Sequence, residues 1–373
     1  MKYILEYPIP VDNDEGRYFV LSACEKAKYI YTILNKKGIN VEIISPSYAK
    51  KTSFTRTDRI NHSTVVVSGF SLGWRNSCSK VFSRISVMLW LLFFLIFKCR
   101  RKETILIYHG VQNIPIFLIA KWIKKFTYIL EVEEIYSMLD LKGAAPWRIR
   151  LEEHMINNSD RYIFASKQLD KEYNITRRPS IIISGNYSIP SILRPKLNDG
   201  KIHIVYAGLI ENEKVAFKSV DIANWLDSRY HIHIIGYGNT SDIELLKRKI
   251  HNKNSSGQCK VSYDGVKTGN EYISYLQQCH IGICPLTSDT RFQRACFPSK
   301  ISSYLSNGLI VVTTKNRVLE ESVYKDFLQF VENEDPANFA KVIKNIDFIN
   351  MLNPRLCVMQ EDIRVQREID LLI

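Results

Sequence analysis

FPSKISSYLSNGLIVVTT, residues 297–314, sets a short helix directly before a buried strand. Pro298 suits the first helical position, where a missing N–H costs nothing. Ile301, Tyr304 and Leu305 recur at helical spacing, and Gly308 suits a left-handed stop. The β-branched run LIVVTT then has the character of a parallel strand covered on both faces. Ser299 and Lys300 would stand at the head of that helix, where a hydroxyl, an ammonium and unpaired N–H groups make a seat for an anion. The same residues also suit an ordinary helix start.

The alternation of apolar run and helical pattern extends in both directions. Before residue 188 the strand candidates are 2–9, 41–47, 63–69, 104–110, 127–134, 161–166 and 180–186, with the clearest helical pattern at 16–37. After residue 200 they are 202–208, 230–238, 260–265, 281–286, 309–314 and 327–332. Between these two series SIPSILRPKLNDG, 188–200, carries two prolines and a polar, glycine-containing end, which reads as an interdomain linker. The expected class is therefore α/β, with two doubly wound parallel-sheet domains facing across a cleft: residues 1–187 and 201–354, followed by a terminal helix at 355–373. Ligands of such sheets sit beyond the carboxyl ends of the strands.

Composition narrows the partners. The chain has 373 residues, 46% hydrophobic and 24% charged, which suits a folded chain with more than one core. A net charge of +13 favours an acidic partner. No zinc-finger spacing, RNP-type aromatic motif or basic tail accompanies it, so nucleic acid is not expected. Eight scattered cysteines without a C-x-x-C pair read as free thiols in a reducing compartment, and the N-terminus does not read as a signal peptide, so a cytoplasmic location is expected. The run ISVMLWLLFFLIF, 85–97, is short for a bilayer span and is followed by KCRRK at 98–102. Two readings stand: a buried helix, or a helix laid into an anionic membrane surface through 85–102.

The strand ends of the second half carry the sharper chemistry. Gly208 ends one strand with Lys214 close behind, Gly236 and Gly238 end the next, and Tyr263, Asp264 and Gly265 end the third. The fourth runs into CPLTSDTRFQRACFPSK, 284–300, which supplies Arg291, Arg294, Ser299 and Lys300. Glycines let backbone approach phosphate, and the cations suit a diphosphate. Neither G-x-G-x-x-G after a strand nor a P-loop is present, which argues against nicotinamide and ATPase chemistry. In the first half His109 ends a strand and would face the cleft, Glu131, Glu133 and Glu134 end the next, and Gly16 follows the first. A histidine fixing a turn and a solvated acidic rim are the plain structural readings of those two strand ends. Asp12, Asn13 and Asp14 spell D-x-D but read as a loop, so no metal site is expected.

The succession YAGLI, IIGYG, VSYDG, CHIGICPL and FPSKISSYLSNGLIVVTT resembles the nucleotide-sugar-dependent glycosyltransferases of the GT-B fold, above all the retaining group of glycogen- and sucrose-synthase-like enzymes and bacterial polysaccharide transferases. The resemblance covers most of 202–315 and implies two Rossmann-like domains. It implies a nucleoside-diphosphate sugar as donor, no metal or other cofactor, and a lipid-linked or oligosaccharide acceptor in surface-polysaccharide synthesis at the inner face of the plasma membrane. It assigns Lys214, Ser299 and Lys300 to the donor diphosphate, and the Tyr263–Gly265 loop to the border of the base. His109 and Glu133 would serve sugar hydroxyls or catalysis, and Gly16, Gly208, Gly236, Arg294, Pro298 and Ser303 would complete the donor site. Two positions depart from the pattern. Leu209 stands where the family has arginine, and Ser303 where a glutamate grips the ribose. A nucleotide-sugar epimerase of the same fold and a catalytically degenerate accessory subunit therefore stay open.

Overall fold

A computed structural model of the chain describes residues 1–9, 14–136, 145–185, 187–211, 214–286, 296–350 and 352–373, the side chain of Ser256 excepted. The chain divides into two compact units, one of Met1–Asn186 with Val365–Ile373, the other of Tyr187–Arg364.

In the first unit the β-branched runs form β1 (Lys2–Ile4), β2 (Val41–Ser45), β4 (Thr64–Ser68), β5 (Thr104–Tyr108), β6 (Thr127–Val132), β7 (Arg161–Phe164) and β8 (Ser180–Ile182), with β3 (Arg56–Asn61) added as a polar edge strand. Their spatial order is β3-β4-β2-β1-β5-β6-β7-β8. All neighbours are parallel except β3, which pairs antiparallel with β4. The order reverses between β1 and β5, so the carboxyl ends of those two strands form the switch point of this sheet. The first strand is shorter than the 2–9 run suggested: pairing stops at Ile4, and Glu6 lies beyond it.

The second unit holds β9 (Ile202–Ile210), β10 (Tyr230–Gly238), β11 (Lys260–Tyr263), β12 (Ile281–Cys284), β13 (Ile310–Thr314) and β14 (Leu328–Val331) in the order β11-β10-β9-β12-β13-β14. Every pair is parallel. One face is closed by helices Val215–Ile222, Thr240–Ser256 and Pro336–Lys344, whose Phe217, Val220, Leu246 and Phe339 pack on Ile204, Ile232, Ile283 and Val312. Burying each such side chain is worth about 1.5–3 kcal/mol. The switch point here falls between β9 and β12.

Residues 188–200 are a correction to the linker reading. The Arg194 and Leu197 N–H groups donate to Gln277 Oε1 (2.9 Å) and the Gln278 carbonyl (3.0 Å). Lys196 Nζ donates to the carbonyls of Cys279 (2.6 Å) and Gly308 (3.0 Å), so this stretch belongs to the second unit.

The apolar run at 85–97 lies within a 22-residue helix, Ser77–Lys98, long and apolar enough by length and composition to cross a membrane. Its start is set by a reciprocal cap: Asn76 Oδ1 accepts from the Ser79 N–H at 2.9 Å, and Ser79 Oγ accepts from the Asn76 N–H at 3.0 Å. Ser83, Val87, Leu91 and Leu95, four residues apart, are buried against the unit, with Trp90 packed over Gly69. Val81, Phe82, Ile85, Leu89, Phe93 and Phe97 are exposed. The helix is neither fully buried nor detached; it lies along the unit with an apolar side outward.

Candidate functional site

The switch point of the second sheet gathers residues from four segments. Gly208 near the end of β9 pairs in register with Gly236 on β10. Gly236 has φ +145, and a Cβ built on it would overlap the Gly208 carbonyl oxygen, so only glycine lets these two backbones meet. The Gly236 N–H donates to the Gly265 carbonyl and the Tyr263 hydroxyl donates to the Gly236 carbonyl, each at 3.0 Å. These bonds stitch the turn after β11 onto the glycine ledge.

Lys300 fills the space that Gly208 leaves open. A Cβ at Gly208 would lie 2.9 Å from Lys300 Nζ and closer still to its Cε. The ammonium stands 5.5 Å from the centre of the Tyr206 ring, a cation–π arrangement that holds it at the ledge without a carboxylate partner among the described residues. The short helix Lys300–Ser306 is placed by Tyr304, whose hydroxyl accepts from the Ala207 N–H at 2.9 Å and whose ring fills the space above Gly282. Burial raises the Tyr304 and Tyr206 hydroxyls above the usual tyrosine range, so both stay neutral donors and acceptors.

The remaining expected donor residues divide. Pro298 precedes the helix rather than opening it: Lys300 is the first helical residue, and the Pro298 carbonyl accepts from the Ile301 N–H at 3.0 Å. Ser299 is exposed and makes no side-chain cap. Ser303 turns its hydroxyl to Tyr272 at 3.2 Å. Lys214 is exposed just before the helix Val215–Ile222 and pairs with Glu211 at 2.7 Å. Asp264 is turned toward the sheet, where burial is outweighed by hydrogen bonds from His233, Tyr275 and Ser262, which hold its carboxyl at about 2. Arg291 and Arg294 lie outside the described residues, as do Asp12 and Asn13.

The first unit places a second polar group at its own switch point. Glu6 follows β1, and His109 and Gly110 follow β5. His109 is buried, with Nε2 2.8 Å from Glu152 Oε1, and that carboxylate also accepts from the Tyr136 N–H at 2.9 Å. His109 is thus enclosed within its own unit, and its Nδ1 has no hydrogen-bond partner among the described residues. Glu6 accepts from Asn113 Nδ2 at 2.7 Å and sits over Gly110, where a Cβ would come within 2.5 Å of its carboxylate. Burial raises the Glu6 carboxyl, opposed by that amide bond. Glu133 lies past the end of β6 and pairs with the buried ammonium of Lys26 at 2.5 Å, which also donates to the Ile183 carbonyl at 2.6 Å. Glu131 is fully buried on the Tyr3 hydroxyl, and burial with the neighbouring Glu133 pushes it up to about 8. Gly16 has φ +64 in a loop anchored by the buried Arg17, which donates to the carbonyls of Ser47 (2.7 Å) and Gly69 (2.9 Å). Glu6 and Glu152 were not expected from sequence: neither sits in a motif, and only their burial beside His109 marks them.

No protein-family model matches the sequence, and no curated protein sequence matches it. Solved structures do match. Sucrose-phosphate synthase of Thermosynechococcus elongatus superposes with a TM-score of 0.70 at 12% identity, over 98% of this chain and 94% of that one. An E. coli trehalose-6-phosphate protein bound with UDP-2-fluoro glucose gives 0.67 at 10% identity, over 100% and 98%. Anabaena HepE in complex with UDP and glucose gives 0.63 at 10%, over 99% and 97%. The chain has the GT-B fold of these glycosyltransferases.

Proposed function

We propose that the chain is a glycosyltransferase that binds a nucleoside-diphosphate sugar in its second unit and passes the sugar to a lipid-linked or oligosaccharide acceptor bound through its first. The observation that carries this reading is the Lys300 ammonium lodged against Gly208 at the switch point of the second sheet. A cation held beside bare backbone suits a leaving diphosphate, whose charge grows as the glycosidic bond breaks. The UDP complexes among the structural neighbours make uridine diphosphate the first nucleotide to try. The test is donor turnover across UDP-, GDP- and dTDP-sugars with and without lipid extract. Hydrolysis or transfer with one of them supports the reading. Sugar interconversion without any acceptor favours an epimerase, and no turnover or binding with any donor favours an accessory subunit.

The acceptor side extends this proposal to the membrane surface. The exposed Val81, Phe82, Ile85, Leu89, Phe93 and Phe97 end at the basic run Lys98, Arg100, Arg101 and Lys102, and the helix Ile114–Lys124 packed beside it leaves Ile119, Trp122 and Ile123 exposed. That combination suits a peripheral enzyme at the inner face of a plasma membrane. Flotation with vesicles containing anionic lipid is expected to carry the chain upward. A variant with Phe82, Phe93 and Phe97 changed to serine is expected to stay at the bottom. Wild-type protein left at the bottom with anionic and neutral vesicles alike removes the membrane from the account.

A further inference from the structure

Half of the chain's eight histidines gather on one face of the second sheet. Strand alternation in IHI (202–204) and YHIHI (230–234) puts His203, His231 and His233 on the same side, and parallel pairing sets His203 directly beside His231. His280 stands just before β12 and stacks on His203 with ring centres 5.8 Å apart. His203 and His233 are buried and His231 is half-buried. The side-chain nitrogens these three can offer lie within 4.8 Å of one another.

We propose that His203, His231 and His233 form a binding site for a divalent transition metal of the zinc type, which ties β9 to β10 near their amino ends. Three imidazoles converging from neighbouring strands match the donor set zinc prefers, with a fourth position for water. His280 is not available through Nδ1, which accepts from the His203 N–H at 3.1 Å.

The surroundings of the rings carry the argument further. His203 turns Nδ1 toward His233 Nε2 (2.8 Å) and its own Nε2 toward Asp199 Oδ1 (2.9 Å). His233 turns Nδ1 toward Asp264 Oδ2, also at 2.9 Å. Each of these imidazoles therefore has one nitrogen facing the centre and the other backed by a carboxylate, the outer arrangement that orients histidine ligands on a metal. Asp264 is itself fixed by the hydroxyls of Ser262 (2.9 Å) and Tyr275. His231 places Nε2 3.1 Å from Ser262 Oγ, leaving Nδ1 for the centre.

Proton counting points the same way. If both outer nitrogens donate to their carboxylates, the chain Asp199–His203–His233–Asp264 holds three protons on two rings, one more than two neutral imidazoles carry; the Tyr275 hydroxyl, 2.8 Å from His233 Nδ1, also reaches that outer nitrogen. A divalent ion replacing the central proton keeps both outer N–H···O bonds and balances the two carboxylates. The central nitrogens need separate by only about half an ångström to reach tetrahedral Zn–N distances. Five residue steps of strand separate His203 from Gly208, roughly 16 Å at strand rise, so this site is distinct from the glycine ledge.

The test is titration of the chelator-stripped full-length chain with Co2+, followed by Zn2+. Expected is about one Co2+ per chain with the visible absorption of a tetrahedral ion, displaced by Zn2+, which also raises the melting temperature. His231→Asn is expected to abolish the band while circular dichroism stays unchanged. Asp264→Asn should weaken binding about 10- to 100-fold, and His62→Asn, at an exposed histidine, should change nothing. If a cluster variant does not fold, protection of the wild-type histidines from diethyl pyrocarbonate by Zn2+, at labelling times long enough for local opening to admit reagent to the buried rings and read by mass spectrometry, decides instead. Protection confined to His203, His231 and His233 supports the site. No Co2+ band in wild type, a band that survives His231→Asn, or Zn2+ protection absent from those three residues overturns it and leaves a proton-only network.

Discussion

Lys300→Ala is expected to lower glycosyl transfer at least tenfold, with the loss in kcat rather than in donor affinity alone. A charge-assisted hydrogen bond is worth about 1.5–3 kcal/mol, or roughly 10- to 150-fold in rate, when it strengthens as the diphosphate leaves. The ammonium has a specific seat, beside Gly208 and over Tyr206, so the effect should depend on position as well as charge. Gly208→Ala tests that dependence without touching the lysine. The added methyl would meet the far end of the Lys300 side chain and the Tyr206 hydroxyl, which lies 3.0 Å from the built Cβ. Those atoms can move, so stability should change by about 1 kcal/mol or less while activity falls nearly as far as in Lys300→Ala. The double variant should be little worse than Lys300→Ala alone, since both changes remove one interaction. Wild-type kcat in either single variant would take Lys300 out of the site.

Gly236→Ala is expected to cost the most stability, about 3 kcal/mol or more by urea unfolding. Its φ of +145 is outside the range other residues adopt, and its built Cβ overlaps backbone, the Gly208 carbonyl, rather than a side chain that could turn away. Shifting that backbone would also strain the bonds joining Gly236 to Gly265 and Tyr263. Gly265→Ala is the matched control. Its φ is +76 but nothing lies within 4 Å of the built Cβ, so only the conformational cost remains, about 1–2 kcal/mol. Equal losses in the two variants would mean that the close approach of β9 and β10 does not matter.

Much of the second unit was legible because its strands are buried on both faces and need β-branched runs, as in the stretch leading to Thr314. The glycines were legible through their recurrence at consecutive strand ends, although a single strand-end glycine more often makes a tight turn, as Gly265 does with φ +76 and open space about its Cβ. What escaped was polar. RTDRIN forms β3 at the sheet edge, where mostly exposed side chains erase the apolar signal and pairing with β4 alone makes the strand. Residues 188–200 look like a linker in composition, yet their backbone is bound by Gln277 and Gln278, partners far along the chain. His109 was visible as a strand-end histidine, whereas Glu152, which fixes its ring, lies 43 residues on. His231 and His233 alternate along β10, but His203 stands alone on β9, and only the register between the strands brings the three together.

The most direct measurement is a crystal of the full chain soaked with uridine diphosphate. The account predicts the diphosphate at the Gly208–Gly236 ledge, with a phosphate oxygen about 2.7–3.2 Å from Lys300 Nζ. A diphosphate bound elsewhere, with Lys300 still lying over Tyr206 and no phosphate beside it, would contradict it.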